Sequence, residues 1–168
     1  MEFRYLMQQA LEESLDTIET VDKEFEACFG RSTGGLTWSY QLEDAEVALV
    51  AAGSLANEAS VAADTLREAG VKAGVLGIRS YRPFPDVKVA QELSGVRQAV
   101  VFDKSLTYGY GGPIYVDVQA ALFRNRVLPE VHGYIAGLGG RDVNARQLVD
   151  AVMESIAWNS SENKPKPV

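Results

Sequence analysis

The chain has a single cysteine, a single histidine and no long apolar run. Cys28 alone makes no internal disulfide, and it supplies only one of the thiolates that an iron–sulfur cluster or a structural zinc takes. With His132 as the only imidazole, a metal site would need an all-carboxylate set, and no such cluster stands out. No apolar stretch approaches the roughly 20 residues that span a bilayer, and no signal-peptide pattern opens the chain. A soluble, cytoplasmic protein is predicted. Basic residues are outnumbered 23 to 16, for a formal charge of -7, which argues against a nucleic-acid or anionic-membrane partner.

The nucleophile motif Gly-x-Ser-x-Gly is missing too, so His132 has no obvious partner for a triad. The glycine-rich stretch Val131 to Asp142 has the spacing Gly137-x-Gly139-Gly140. That matches neither the dinucleotide fingerprint nor the phosphate loop of nucleotide hydrolases.

What is present is enough apolar sequence for one core: 46% of 168 residues. Phe3, Met7, Leu11, Ile18, Val21, Phe25 and Cys28 recur at helical spacing, interrupted by Ser14, and predict one long amphipathic helix over Glu2 to Phe29 with an acidic outer side. At about 1.5 Å per residue it runs on the order of 40 Å, more than a domain of this size needs. It is therefore read as a connector over residues 1–30 that packs against something outside the domain, with Cys28 as a small buried hydrophobe. A chain that opens directly in helical sequence also suggests a fragment.

Past the breaker Gly30 to Gly35, the pattern turns to strands alternating with helices. Strands are predicted at Leu36 to Leu42 on a sheet edge, Glu46 to Ala52, Lys72 to Ile78, Gln98 to Asp103 and His132 to Ala136. Helices are predicted at Leu55 to Ala69 with Gly70 closing it, from Asp86 to Leu93, at Ile114 to Phe123, and at Val143 to Ala157 with Asp142 as N-cap. This alternation predicts an α/β domain over residues 31–158, a mostly parallel sheet with helices on both faces. Residues 159–168 form a polar, proline- and lysine-containing tail, predicted to be disordered.

Ligands of open parallel sheets gather at the carboxyl ends of the strands. Those ends offer Gly53 and Ser54, Arg79 and Arg82, Asp103 and Lys104, then Gly139, Gly140, Arg141 and Asp142, with Tyr110, Gly111 and Gly112 in the loop after Asp103. Arg79, Arg82 and Arg141 can hold a phosphate or carboxylate there. They can equally meet carboxylates of the same domain or of a partner. Asp103 reads as a pairing or capping carboxylate, and no catalytic constellation emerges.

Five segments carry a resemblance: Asp44 to Ser54, Ile78 to Pro85, Val101 to Ser105, Tyr108 to Tyr115 and Ile135 to Val143. Together, in this order, they resemble core domain II of pyruvate:ferredoxin oxidoreductase and of related 2-oxoacid oxidoreductases, over about Glu2 to Ala157. The resemblance implies a transketolase C-terminal-like, three-layer fold. Its five-stranded sheet has the order 1-3-2-4-5 with the first strand antiparallel. It also implies a parent enzyme that converts a 2-oxoacid to acyl-CoA with thiamine diphosphate, Mg, [4Fe-4S] clusters and coenzyme A, and that passes electrons to ferredoxin or flavodoxin. None of those cofactor sites maps onto this chain, whose implied role is contact with other domains and subunits. The chain is therefore not expected to be active alone. The apolar face of the first helix predicts a homo-oligomer.

Overall fold

The computed structural model describes residues 1–158, so the predicted tail at 159–168 lies outside the described residues. The strands are β1 (Thr37–Tyr40), β2 (Val47–Ala52), β3 (Ala73–Ile78), β4 (Gln98–Asp103) and β5 (Glu130–Ile135). They form one sheet of order β1-β3-β2-β4-β5. β1 runs antiparallel to β3, and the other pairs are parallel. The implied order and the antiparallel first strand are both present.

Composition explains which strands are central. Every residue of β3 and β4 is buried, as is β2 apart from its last, because parallel strands covered on both faces read as continuous apolar runs. Alternation splits the core. Leu49, Val75, Val100 and Phe102 face α2 (Ser54–Glu68) and α5 (Ala145–Trp158). Val50, Leu76, Ala99 and Val101 face α3 (Asp86–Glu92) and α4 (Pro113–Arg124). Glycine is required where elements touch: a Cβ on Gly77 would lie 2.1 Å from the Trp38 indole nitrogen.

Several boundaries differ from the sequence reading. β1 is only four residues long. β3 begins at Ala73 rather than Lys72. β5 begins at Glu130, which makes His132 an interior residue of the strand. Helix α5 begins at Ala145, and its cap is Asn144, not Asp142. The Asn144 side-chain oxygen accepts from the Gln147 N–H (3.1 Å), and the Gln147 side-chain oxygen accepts from the Asn144 N–H (3.0 Å). This reciprocal capping box outcompetes a single aspartate two residues earlier.

Helix α1 spans Glu2–Phe29 and ends at Gly30 in the left-handed conformation. None of its residues is buried. Its apolar face therefore lies open, and Cys28, predicted to be buried, is exposed because the surface of its helix has no cover. The helix is tied to the domain near its end: Asp22 accepts from the Ser32 hydroxyl (2.6 Å), the Thr33 N–H (2.6 Å) and the Thr33 hydroxyl. Those hydroxyls hold its carboxyl down at about 2. No helix among the described residues is long and apolar enough to cross a membrane.

Candidate functional site

The carboxyl edge of the sheet is built from four strand ends. After β2, Gly53 (φ 61°) precedes Ser54, the first residue of α2, and both are exposed. No side chain among the described residues caps that helix.

At the end of β3 the N–H groups of Arg79 and Ser80 both donate to the Leu36 carbonyl (3.0 Å each). The Arg79 guanidinium lies against Gly34, where a Cβ would come within 2.8 Å of Nε. Arg82 is paired within the domain while its side chain stays 56% exposed. Its guanidinium stacks on the Tyr81 ring (4.1 Å to the centroid), donates to the Tyr81 carbonyl (2.7 Å) and pairs with Asp117 of α4 (2.8 Å). Burial, and then the Asp117 charge, push the Tyr81 phenol up, with Arg82 opposing.

At the end of β4, Asp103 is 1% exposed. Its two oxygens accept the N–H groups of Ile114 (3.0 Å) and Tyr115 (2.9 Å), the opening turn of α4. The predicted capping carboxylate is thus a cap reached from a strand end, and helix N-termini favour that charge. Burial pushes its carboxyl up, against the two N–H bonds that hold it down, and Asp117 adds to the rise. Gly112 is glycine for contact: a Cβ there would sit 2.1 Å from the Asp103 Oδ2. Tyr108 and Tyr110 of the intervening loop stand exposed, above a turn in which Thr107 and Gly111 exchange backbone bonds.

At the end of β5, Gly137, Gly139 and Gly140 all have positive φ, and Leu138–Gly140 form a single 3-10 turn. Arg141 and Asp142 follow, exposed. Between this turn, β5 and α5 opens a groove of about 450 Å³ floored by Phe102, Tyr134 and Leu148, with Arg141, Asp142 and Glu154 on its rim. The Tyr134 hydroxyl is buried without a hydrogen-bond partner among the described residues. Its phenol is pushed up to about 12 by burial first and Glu154 second.

The structure divides the basic rim. β3 and β5 stand on opposite sides of the β2–β4 pair, about 14 Å apart at the usual strand spacing. Arg79 and Arg82 therefore do not converge with Arg141. Sequence reasoning missed the Tyr81–Arg82–Asp117 cluster and the groove, because Asp117 and Glu154 are unremarked positions on helices.

Architecture and strand order define the class, an α/β/α domain of the transketolase C-terminal kind. Two solved structures are similar. One is a split-gene transketolase in an inactive beta4 tetramer, with TM-score 0.57, 20% identity, and coverage of 71% of this chain and 41% of that one. The other is the 2-oxoglutarate:ferredoxin oxidoreductase of Magnetococcus marinus, solved with 2-oxoglutarate, coenzyme A and succinyl-CoA, with TM-score 0.55, 15% identity, and coverage of 86% of this chain and 23% of that one. At those identities they show the fold.

Sequence narrows the class to a family. Residues 45–148 match pyruvate:ferredoxin oxidoreductase core domain II, and the chain belongs to that family. It is 37% identical over 155 residues to the pyruvate synthase subunit PorA of Methanosarcina barkeri, covering 92% of this chain and 39% of the relative. To PorA of Methanothermobacter thermautotrophicus it is 39% identical over 164 residues, covering 94% and 42%. The ketoisovalerate oxidoreductase subunit VorA of Pyrococcus horikoshii is 35% identical over 155 residues, with 92% and 39% covered. The chain thus spans about two fifths of the length of these relatives.

Proposed function

We propose that this chain serves a 2-oxoacid:ferredoxin oxidoreductase as a contact domain, without a catalytic set of its own. In this reading α1 is the connector to a neighbouring domain, and residues 31–158 are the domain that meets other domains and subunits. The complete cytoplasmic enzyme oxidises pyruvate or a related 2-oxoacid to its acyl-CoA. Thiamine diphosphate with Mg, [4Fe-4S] clusters and coenzyme A act in its other parts, and ferredoxin or flavodoxin takes the electrons. Family membership and the pyruvate synthase relatives support the enzyme class. The residues present do not fit a cluster, since Cys28 is a lone thiol on an exposed helix.

One observation carries the contact reading: two of the strand-end charges, Asp103 and Arg82, are paired within the domain. Asp103 is consumed by the α4 N–H groups and Arg82 by Asp117 and Tyr81, so neither faces a reacting group. The purified chain, supplied with pyruvate or ketoisovalerate, thiamine diphosphate, Mg, coenzyme A and a viologen acceptor, is expected to release no carbon dioxide and reduce no acceptor. Turnover by the chain alone overturns the proposal.

A second reading keeps an anion site, such as for a coenzyme A phosphate, at the carboxyl edge. The exposed turn Gly139, Gly140 and Arg141 favours it, with left-handed glycines beside an exposed guanidinium. Calorimetry with coenzyme A and with inorganic phosphate tests it, and no heat at millimolar ligand rules it out.

A further inference from the structure

The groove between the Gly137–Gly140 turn, β5 and α5 has the make-up of a small-molecule site: about 450 Å³, an apolar floor and a few polar groups. Helical spacing builds one wall. Gln147, Leu148, Ala151 and Glu154, with Asp150, share one flank of α5 and line the groove, over about 10 Å of helix. The floor is aromatic beside Leu148, since the Phe102 and Tyr134 rings stack with centroids 5.8 Å apart.

Charge along the groove is uneven. Its charged lining residues are Asp142, Asp150 and Glu154 against Arg141 alone. The cations gather at the turn: Arg141 lies on it, and the Lys104 Cε is 3.2 Å from where a Cβ on Gly137 would sit. Asp150 and Glu154 stand further along α5, one helical turn apart and both exposed. Arg146, four residues before Asp150, does not line the groove. Among the described residues neither carboxylate is in an ion pair. Beside them Tyr134 is only 4% exposed, and its hydroxyl is buried with no hydrogen-bond partner among the described residues. Glu154 is near enough for its charge to help push that phenol up to about 12. The phenol is therefore neutral at ordinary pH, and its oxygen can accept an N–H.

We propose that the α5 end of this groove binds a small organic cation, a primary ammonium carried on an aryl or branched-alkyl body. The ammonium sits between the Asp150 and Glu154 carboxylates and donates to the Tyr134 oxygen, which gives a costly unpartnered group its partner. The body covers Leu148, Ala151 and the aromatic floor and removes that apolar surface from water. An anion of the same shape would meet two carboxylates there, so charge selects the ligand's sign. This site goes beyond the contact-domain reading, which stands whether or not the groove is occupied.

Amide NMR titration of the chain tests it, with 2-phenylethylamine as the probe and 2-phenylethanol and 3-phenylpropionate as its neutral and anionic counterparts. The amine is expected to bind with a Kd of about 1 mM or tighter and to shift the amides of Tyr134, Ala151 and Glu154. The alcohol and the carboxylate bind about tenfold or more weakly. Asp150→Asn and Glu154→Gln, at exposed positions that leave the fold alone, each weaken the amine by about three- to tenfold and leave the alcohol unchanged. Tyr134→Phe keeps the stacked ring and also weakens the amine. No saturation by about 10 mM amine, an alcohol or carboxylate that binds as tightly, shifts confined to the acidic helix α1, or an affinity unmoved by Glu154→Gln or Tyr134→Phe overturns the inference.

Discussion

Replacing Asp103 by alanine removes both acceptors that close the first turn of α4, from a residue that is 1% exposed. Losing a helix cap costs about 0.5–2 kcal/mol. Leaving buried donors unmet costs about 1–3 kcal/mol. The two overlap, since the same N–H groups are counted in each, so a net loss of about 2–3 kcal/mol is expected. For a domain of this size that lowers Tm by about 5–10 °C. Asp103→Asn is intermediate, because one amide oxygen replaces two carboxylate oxygens and its NH₂ opposes the second N–H. Gly112→Ala drives a methyl to 2.1 Å from Oδ2 and displaces the same carboxylate, so its cost and that of Asp103→Ala are not additive.

The charge of Asp103 adds a pH signature. Burial pushes its carboxyl above the ordinary value in the folded chain, so the native state binds this proton more tightly than the unfolded state. Its contribution to stability is therefore greatest below the unfolded value and declines as pH rises through the window up to the folded value. Above both, the cost of burying the charge is fully expressed. In Asp103→Asn this slope vanishes. Urea unfolding at several pH values measures it, alongside amide exchange at Ile114 and Tyr115. An alanine variant within about 0.5 kcal/mol of the parent, the range of neutral surface changes, with exchange at those two amides unaltered, refutes the capping argument.

Gly77→Ala places a methyl 2.1–2.8 Å from atoms of the Trp38 indole and is expected to expel that ring at a cost of about 1–3 kcal/mol; unchanged tryptophan emission and Tm would count against it. Gln98 is fully buried with neither side-chain amide atom hydrogen-bonded among the described residues, so Gln98→Met is expected to stabilise the chain by about 1 kcal/mol in thermal unfolding, and a loss of stability contradicts this. Asp22, lowered to about 2 by Ser32 and Thr33, has a depressed folded value. Its contribution to holding α1 is present above the unfolded value and is lost as pH falls from about 4 through about 2. Amide exchange of Ser32 to Gly35 at descending pH reads that release, and constant protection down to pH 2 argues against it.

The sequence carried its periodic features well and its pairings poorly, for physical reasons visible at single residues. Val47 to Ala52 and Gln98 to Asp103 announce themselves because a strand covered on both faces tolerates little polarity. Asp142 misled because a cap is decided by two side chains acting together, and Asn144 with Gln147 forms that pair. The openness of Cys28 was hidden because helical periodicity shows which face is apolar, and only tertiary contacts show whether anything covers it. The basic rim shows the deeper limit. In chain order Arg79, Arg82 and Arg141 sit at successive strand ends and read as one site. In the sheet, β2 and β4 stand between β3 and β5, and strand order is set by long-range pairing that local patterns do not encode. Family resemblance supplied that order where periodicity did not, and the order in turn puts β5 at the edge of the sheet among the described residues. Gly133 shows the same limit at one residue: in sequence it only weakens a strand, while in the fold a Cβ there would lie 2.7 Å from the Tyr115 ring of α4, so close helix-on-strand packing decides the residue and no local pattern announces it.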